Sequence, residues 1–469
     1  MIGIVSHAAY LPAYRISREA VLAAWGGAKQ PGQKVVARFD EDAITMAADA
    51  ASQCLRGLPR ASVGALYFAS TSAPYLERLN GSIVAAMCDV DASAFVADFG
   101  DSLRAGTSAL YAAADRVATD PEGSGIAVAV AADNREAEPG SSEEALFSDA
   151  AAAIALGSKD LIAELVARST RYDDFFESAR RDRDQTVTLY EGKYSVDRGY
   201  TRSLRAVIDD VLKRGGVSAA EVHKLVIPAI DKKSHVALAE KLGFAADRVQ
   251  DVYWNELGNP GCASPLLLLS LALQTAKAGD LILCAGYGNG ADAFLFRATD
   301  HIVKSQPAVQ FDPKAGGISY PTYTLYRKAR EYRHMHEDGL EITNIFYNKE
   351  EVQTVRLHGT ECGYCGTKHF PMVQVCAKCE KSDQMRPVPL EHTGNVFTYA
   401  VDHLAASPFP PTTMAVVDLD GGGRIYCEVV DSDPESVQIG MPVELVMRRL
   451  REGGGLYHYY WKCRPRRNV

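Results

Sequence analysis

Four cysteines carry the most specific chemical signal in the chain. Cys362, Cys365, Cys376 and Cys379 follow the spacing C-x2-C-x10-C-x2-C. Two such knuckles bring four thiolates to the corners of one tetrahedron, the geometry of a structural zinc ion. A redox dithiol pair and an iron–sulfur centre are the alternatives. A closed four-thiolate set leaves no open coordination position, which assigns the zinc to folding rather than catalysis. The second chemical signal is a polar turn, Asp98–Ser102, that runs through Ser102, Leu103 and Arg104 into an alanine-rich segment. A helix entered this way aims its free N–H groups and its dipole at a cleft, a position where acyl-transfer enzymes keep a nucleophile. No cysteine stands in this turn.

Other reactive types follow apolar runs elsewhere. Asp231, Lys232 and His235 come after Leu225–Pro228, and Tyr287, Asn289 and Asp292 lie in GYGNGADAF. Asn259 and Cys262 share the turn LGNPGCAS, and Tyr75 lies in STSAPY. Most of these have a plain structural alternative. Asp231 and Lys232 can pair in solvent, Ser102 can cap a helix, and His235 can sit at the surface or at a cap. Tyr287 can be a packed aromatic and Cys262 a buried small residue.

The elements that must position these groups read as α/β. Residues 1–300 alternate short apolar strands (Ile2–Val5, Ala65–Ala69, Ala94–Ala97, Gly125–Ala131, Ala150–Leu156) with small-residue helices such as Glu41–Leu55 and Asn80–Met87. The pattern recurs. ADFGDSLRAGTSALYAAADRV and then SGIAVAVAADN resemble YWNELGNPGCASPLLLLSLAL and then GDLILCAGYGNG, while LYFASTSAPY and LVIPAIDKKS stand correspondingly upstream. An internal duplication predicts two similar halves with a cleft where equivalent loops meet. Between them lies Thr170–Arg202, charged and aromatic: a cover over the cleft, a dimer contact or a solvated connection. Residues 300–322 read as a linker and Tyr323–Glu337 as a helix. Beyond the cysteines, Gly394–Arg467 alternates at period two with turns at Gly421–Gly423 and Gly453–Gly455, predicting a small five-stranded barrel of the OB type. The expected domains are 1–165 and 166–300 (two α/β halves), 301–345 (linker and helix), 346–390 (zinc ribbon) and 391–469 (barrel).

The totals narrow the function. With 50 basic and 59 acidic residues the net charge is −9, which disfavours a nucleic-acid surface even at the barrel. The longest apolar run, Pro265–Leu273, is too short to span a bilayer. The start, MIGIVSHAAYLP, reads as a first strand rather than a leader, and scattered cysteines fit a reducing cytoplasm.

RFDEDAITMAADAA, DSLRAGTSAL, FSDAAAAIALGS and GYGNGADAF resemble, in order, segments of 3-hydroxy-3-methylglutaryl-CoA synthases. The resemblance covers roughly residues 1–300 and implies the thiolase fold, duplicated in five layers and normally dimeric. The remainder is similar to the zinc-ribbon/OB proteins that accompany thiolases and these synthases. The resemblance implies a coenzyme A thioester as substrate. It also places the family's catalytic glutamate near Thr71, its acyl-carrying cysteine at Leu103 (or Arg104 by the ketoacyl synthase pattern), and its histidine at Pro228. None of these side chains can do the family's chemistry. Asn259 matches the asparagine that lines the family's cleft.

Three functions follow. The first makes or breaks a carbon–carbon bond beside a thioester by aldol or retro-aldol chemistry, without an acyl-cysteine, using groups among Asn259, Tyr287, Asp231, Lys232, Ser102 and His235. The second is a catalytically silent scaffold partnering an active thiolase. The third is an acyltransferase or condensing enzyme with a non-standard nucleophile. A homodimer is expected, with a separate thiolase or carrier protein as a further partner.

Overall fold

Runs such as IAVAVAAD and AAAAIALG are buried along their whole length, as strands covered on both faces must be. The computed structural model describes residues 1–120, 125–190, 192–304, 316–328, 343–405, 407, 409–453 and 455–466. It divides into two compact units: Met1–Arg38 with Asp42–Thr324, and Phe39–Glu41 with Leu325–Val469.

The first unit is built on one nine-stranded sheet. Its order is Lys224–Val226, Leu281–Tyr287, Gly290–Ala298, Ala163–Tyr172, Gly3–Tyr10, Ala150–Gly157, Ile126–Asp133, Val63–Ala69, Phe95–Phe99. Reading outward from the middle gives the same sequence of pairings twice. Gly3–Tyr10 pairs antiparallel with Ala150–Gly157, which pairs antiparallel with Ile126–Asp133; Val63–Ala69 and Phe95–Phe99 then add in parallel. On the other side Ala163–Tyr172, Gly290–Ala298 and Leu281–Tyr287 are antiparallel neighbours, and Lys224–Val226 adds in parallel. A single parallel bridge from Leu225 to Val249 stands where the outermost strand of the first half would be. The halves join through Gly3–Glu164 and Ile4–Ala163. The expected duplication is thus present element by element, as the thiolase fold requires.

The helices repeat as well. Ala43–Cys54 packs on Gly3–Tyr10 and Ala150–Gly157, and Arg202–Gly215 packs on Ala163–Tyr172 and Gly290–Ala298. Asp42 and Thr45 close a reciprocal capping box on the first of these. The two central helices, Ala105–Ala118 and Ser264–Thr275, meet each other. Gly106 makes that approach possible, because a Cβ there would stand 2.5 Å from the carbonyl oxygen of Cys262.

One boundary moves. The stretch expected as linker is structured where it is described. Arg15 N–H donates to the Gly316 carbonyl (2.9 Å), Ile318 N–H donates to the Arg15 carbonyl (2.8 Å), and Trp25 Nε1 donates to the Tyr320 hydroxyl (2.6 Å). The helix predicted over Tyr323–Glu337 begins earlier and is described as Tyr320–Lys328; its remainder lies outside the described residues. Aromatic residues with polar tips found partners here: the Lys34 ammonium sits 4.3 Å from the Tyr323 ring centroid.

In the second unit His358–Cys362 pairs with Lys368–His369 and Met385–Pro389 as a small ribbon. Five strands then close a barrel in the order Thr393–Asp402, Thr412–Leu419, Arg424–Val429, Leu456–Pro465, Pro442–Gly453. Thr412–Leu419 alternates strictly between partly exposed and buried positions, the period-two signal made structural. Among the described residues no helix is long and apolar enough to cross a membrane.

Gly106→Ala should lower the unfolding free energy by roughly 1–3 kcal/mol through overpacking against backbone that cannot give way. Denaturant titration followed by circular dichroism reads this, with Gly317→Ala, where φ is not in the left-handed region and a Cβ meets nothing within 4 Å, as the control for a neutral packing environment.

Candidate active site and metal centre

A buried carboxylate organises the loops at the centre of the first unit. Strand Ile126–Asp133 ends on Asp133, which has no exposed surface. Its Oδ1 accepts from Thr71 N (2.7 Å), Ser72 Oγ (3.0 Å) and Ser70 Oγ (3.1 Å). Its Oδ2 accepts from Thr71 Oγ1 (2.9 Å) and from the backbone N–H of Cys262 (2.8 Å). One side chain thereby fixes the loop after Val63–Ala69 in the first half and the turn before the central helix of the second. Thr71 spends its hydroxyl on this tie.

The entry to helix Ala105–Ala118 meets the GYGNG loop. Ser102 Oγ donates to the Gly288 carbonyl (2.8 Å) and accepts from Arg104 N–H (3.2 Å). A Cβ on Gly288 would stand 2.9 Å from Leu103 N and 2.8 Å from Arg104 N, so only glycine lets the loop approach the helix mouth. Arg104 reaches the Arg171 carbonyl (2.9 Å) and Asp292 (3.4 Å). Asp292 lies on a strand, not on the closing loop. Its buried carboxylate also accepts from Thr107 (3.0 Å), Ser108 (3.3 Å) and Thr170 (2.7 Å), which makes it a clamp between elements.

The charged excursion crosses both loops. Tyr287 donates its hydroxyl to Glu177, Asn289 Nδ2 donates to the Phe175 carbonyl (3.0 Å), and Arg180 Nη2 donates to the Thr71 carbonyl (2.8 Å). Of the three roles expected for Thr170–Arg202, these contacts match the cover. Burial pushes the Glu177 carboxyl above its ordinary value, opposed by the bond from Tyr287. Burial also pushes the Tyr287 phenol up, and the adjacent Glu177 adds to it. Tyr75 stands at the rim of the first-half loop, its N–H bonded to Asn80 Oδ1 (3.2 Å).

The remaining candidates separate. Asn259 accepts at Oδ1 from Gly261 N–H (3.1 Å), and its amide nitrogen has no protein partner among the described residues. Pro228 offers its carbonyl to the Tyr200 hydroxyl (2.8 Å). Asp231 caps helix Lys232–Lys241, accepting from Ser234 N–H (2.8 Å), and Lys232 is exposed. His235 is buried instead of lying at the surface as one reading expected; burial lowers its pKa. Cys262 is fully buried and its thiol is pushed well above its ordinary value by burial, then by Asp133, which keeps it protonated.

Sequence reasoning passed over Asp133, Glu177 and Arg135. Arg135 follows two residues after the apolar strand Ile126–Asp133, and a lone cation immediately beyond a fully buried strand end is the signal that could have found it. Its side chain is buried, with the guanidinium 3.8 Å from the centroid of Phe147. Burial lowers its pKa, and Asp133 opposes that.

In the second unit the four knuckle cysteines converge. Their sulfurs lie within 4.8 Å of one another, with Cys362–Cys379 at 3.5 Å and Cys365–Cys376 at 3.6 Å. Tetrahedral bonds of about 2.3 Å place sulfurs roughly 3.8 Å apart, so the donor set fits a thiolate-bound metal ion. Gly366, at φ +70°, turns the first knuckle so that its N–H reaches the Cys362 carbonyl (2.8 Å).

The chain is similar to known proteins in both units. The family model described as 3-oxoacyl-[acyl-carrier-protein] synthase III C terminal matches residues 212–296, and the C-terminal OB-fold domain of ChsH2 matches 387–448. Hydroxymethylglutaryl-CoA synthase of Archaeoglobus fulgidus is 30% identical over 342 residues, 70% of this chain and 98% of that protein. The Methanosphaera stadtmanae enzyme of the same name is 28% identical over 341 residues, 70% and 98% of the two chains. Among solved structures, HMG-CoA synthase complexed with CoA superposes with a TM-score of 0.63 at 18% identity, covering 69% of this chain and 89% of that one. The synthase III of Aquifex aeolicus gives 0.56 at 21%, covering 63% and 100%. The curacin-pathway HMG synthase in complex with its acetyl-donor carrier protein gives 0.58 at 15%, covering 69% and 88%.

Asp133→Ala should strip the acceptor from Thr71, Ser72 and Cys262 at once and cost about 3–5 kcal/mol of stability. Urea unfolding curves measure the loss, and Thr71→Val, which removes one donor and keeps the volume, should cost no more than about a third of it.

Proposed function

The chain belongs to the hydroxymethylglutaryl-CoA synthase family, and we propose that it acts on an acyl-CoA thioester, making or breaking the adjacent carbon–carbon bond by aldol or retro-aldol chemistry without an acyl-cysteine. The observation that carries this reading is the mouth of helix Ala105–Ala118. It keeps a backbone N–H group facing Gly288, but the side chain there is Leu103, which cannot be acylated. Donors for a developing enolate are kept while the nucleophile is absent.

In the retro-aldol direction a base takes the proton of a β-hydroxyl group. The carbon–carbon bond then breaks, a carbonyl compound leaves, and the electron pair remains as a thioester enolate that is finally protonated. In this reading the Asn259 amide and the Leu103 N–H hold the thioester oxygen. Glu177, its carboxyl raised by burial and oriented by Tyr287, exchanges the proton. Thr71 and Pro228 occupy the family's acid–base places without titrating there. Asp231, Lys232, His235 and Ser102 serve as supports: the Ser102 hydroxyl is committed to Gly288, which counts against it as the nucleophile of a condensing enzyme.

A scaffold role beside an active thiolase is the second reading, favoured by the same substitutions at Thr71, Leu103 and Pro228. The partners implied by the first reading are a second copy of the chain and, as acyl donor or acceptor, CoA or a carrier protein. The metal of the four-cysteine cluster is zinc in this reading, holding the ribbon together and taking no part in the reaction.

Intact-mass spectrometry after incubation with acetyl-CoA should show no covalent adduct, while 3-hydroxyacyl-CoA thioesters should be cleaved to a shorter acyl-CoA and a carbonyl compound. Glu177→Gln should slow that cleavage by about 100-fold or more. Acylation of any cysteine sinks the mechanism, and tight CoA binding with no cleavage or condensation of any thioester selects the scaffold. Elemental analysis should find one zinc per chain, and Cys376→Ser should abolish it and unfold the ribbon. A folded protein free of metal refutes the assignment.

A further inference from the structure

Residues Ser195–Thr201 form a widened helical turn, a short π-helix, which runs without a break into helix Arg202–Gly215. Such i→i+5 turns are rare, and where they occur they are frequently part of a functional site. This one also carries a glycine, Gly199, which weakens a helix further. Both features cost stability, yet Gly199 is buried, and so is Tyr200 beside it. Tyr200 continues the apolar face of Leu204, Val207, Ile208 and Val211 at helical spacing, so core packing accounts for it. Core packing does not account for a glycine at its side.

The groups that Gly199 faces do account for it. A Cβ there would overlap the Tyr287 hydroxyl and stand 3.0 Å from the Phe175 ring. Tyr287 is the residue whose hydroxyl donates to Glu177. Its ring has little room to step aside, being 5% exposed and closed in by Tyr200. The Tyr200 ring stands edge-on to it, with centroids 5.4 Å apart and planes at 88°. Tyr200 is itself tied down, its hydroxyl donating to the Pro228 carbonyl (2.8 Å).

Resting on the cleavage reading above, we infer that Gly199 is a positioning residue: the widened turn and the missing side chain make the slot in which the Tyr287 hydroxyl meets Glu177. Gly199 acts through Tyr287 and touches no reacting atom. Glu177 is faced by the Tyr287 hydroxyl, the Asn289 N–H (3.4 Å) and the Asp173 carboxylate, and Tyr287 is faced by Glu177, Asp173 and Tyr200. Burial raises the Glu177 carboxyl most; the Tyr287 hydroxyl and the Asn289 N–H pull it back, and Asp173 adds to the rise. Removing the hydroxyl therefore moves this carboxyl further up. A base works only when deprotonated, so activity should then fall away at a higher pH.

The test is the pH profile of kcat/KM for the full chain, with 3-hydroxybutyryl-CoA and 3-hydroxy-3-methylbutyryl-CoA as probes. Cleavage releases acetyl-CoA with acetaldehyde from the first and with acetone from the second. Wild type, Gly199→Ala, Tyr287→Phe and the double variant are compared on the better probe. Gly199→Ala should lose about 10- to 100-fold at neutral pH, with its acidic limb moved up by about half a pH unit or more. Tyr287→Phe should move the limb in the same direction. With no hydroxyl for the new methyl group to displace, the double variant should match Tyr287→Phe within about twofold. That last comparison holds even where Gly199→Ala alone does not fold. A Gly199→Ala enzyme whose acidic limb stays in place overturns the inference, whatever its rate. A full further loss on adding Gly199→Ala to Tyr287→Phe also overturns it. If wild type cleaves neither probe at any pH, the cleavage reading itself fails, and the inference with it.

Discussion

The structure turns on a carboxylate closed off from bulk solvent. Asp133 ends a strand in which every residue is buried, and its charge is tolerable because five donors converge on two oxygens. Those donors come from both halves of the duplicated unit. Four belong to the loop Ser70–Ser72 and one is the N–H of Cys262, at the head of the second central helix. The tie therefore sets how the two halves' loops face each other, and with it the shape of the cleft. The close helix approach at Gly106, beside the carbonyl of the same Cys262, is the packing counterpart of this polar tie. Neither would hold the geometry alone: small residues let the backbones meet, and hydrogen bonds say where.

In the proposed reading the cleft presents a set of donors with the nucleophile missing. Gly288 closes on the helix mouth, Ser102 fastens the loop, and the Asn259 amide nitrogen has no protein partner among the described residues. The sulfur that is nearby, Cys262, is buried, and burial holds it in the thiol form. In that reading proton movement falls to groups the excursion brings in. Glu177 and Arg180 lie three residues apart on that segment, and one meets the second half's loop while the other meets the first's. A single segment thus ties the loops of both halves together.

Much of the architecture was legible because its signals are local. Strand and helix periods recur in the same order in the two halves, so LYFASTSAPY and LVIPAIDKKS announce equivalent strands without any knowledge of their partners. The knuckle spacing of Cys362 to Cys379 is likewise a short-range fact. The expectation that Leu103, Pro228 and Thr71 stand where the family keeps a cysteine, a histidine and a glutamate came from the resemblance, which set the register. Residues 316–324 misled because a segment with scattered glycine and proline looks like a linker. Whether Tyr320 and Tyr323 find Trp25 and Lys34, almost three hundred residues away, is not written in their neighbours.

The same limit explains why the site's charged groups were missed. Asp133 and Arg135 are two residues apart in sequence and opposite in charge, and a reader of the sequence would pair them. The fold prevents it by spending all of Asp133's acceptor capacity on neutral donors. An aspartate satisfied by backbone and hydroxyl groups is a structural charge, and among the described residues the pairing that sequence proximity suggests is not made. The outcome rests on the acceptor count at Asp133, since two oxygens already taking five donors have little left to offer a guanidinium beside them.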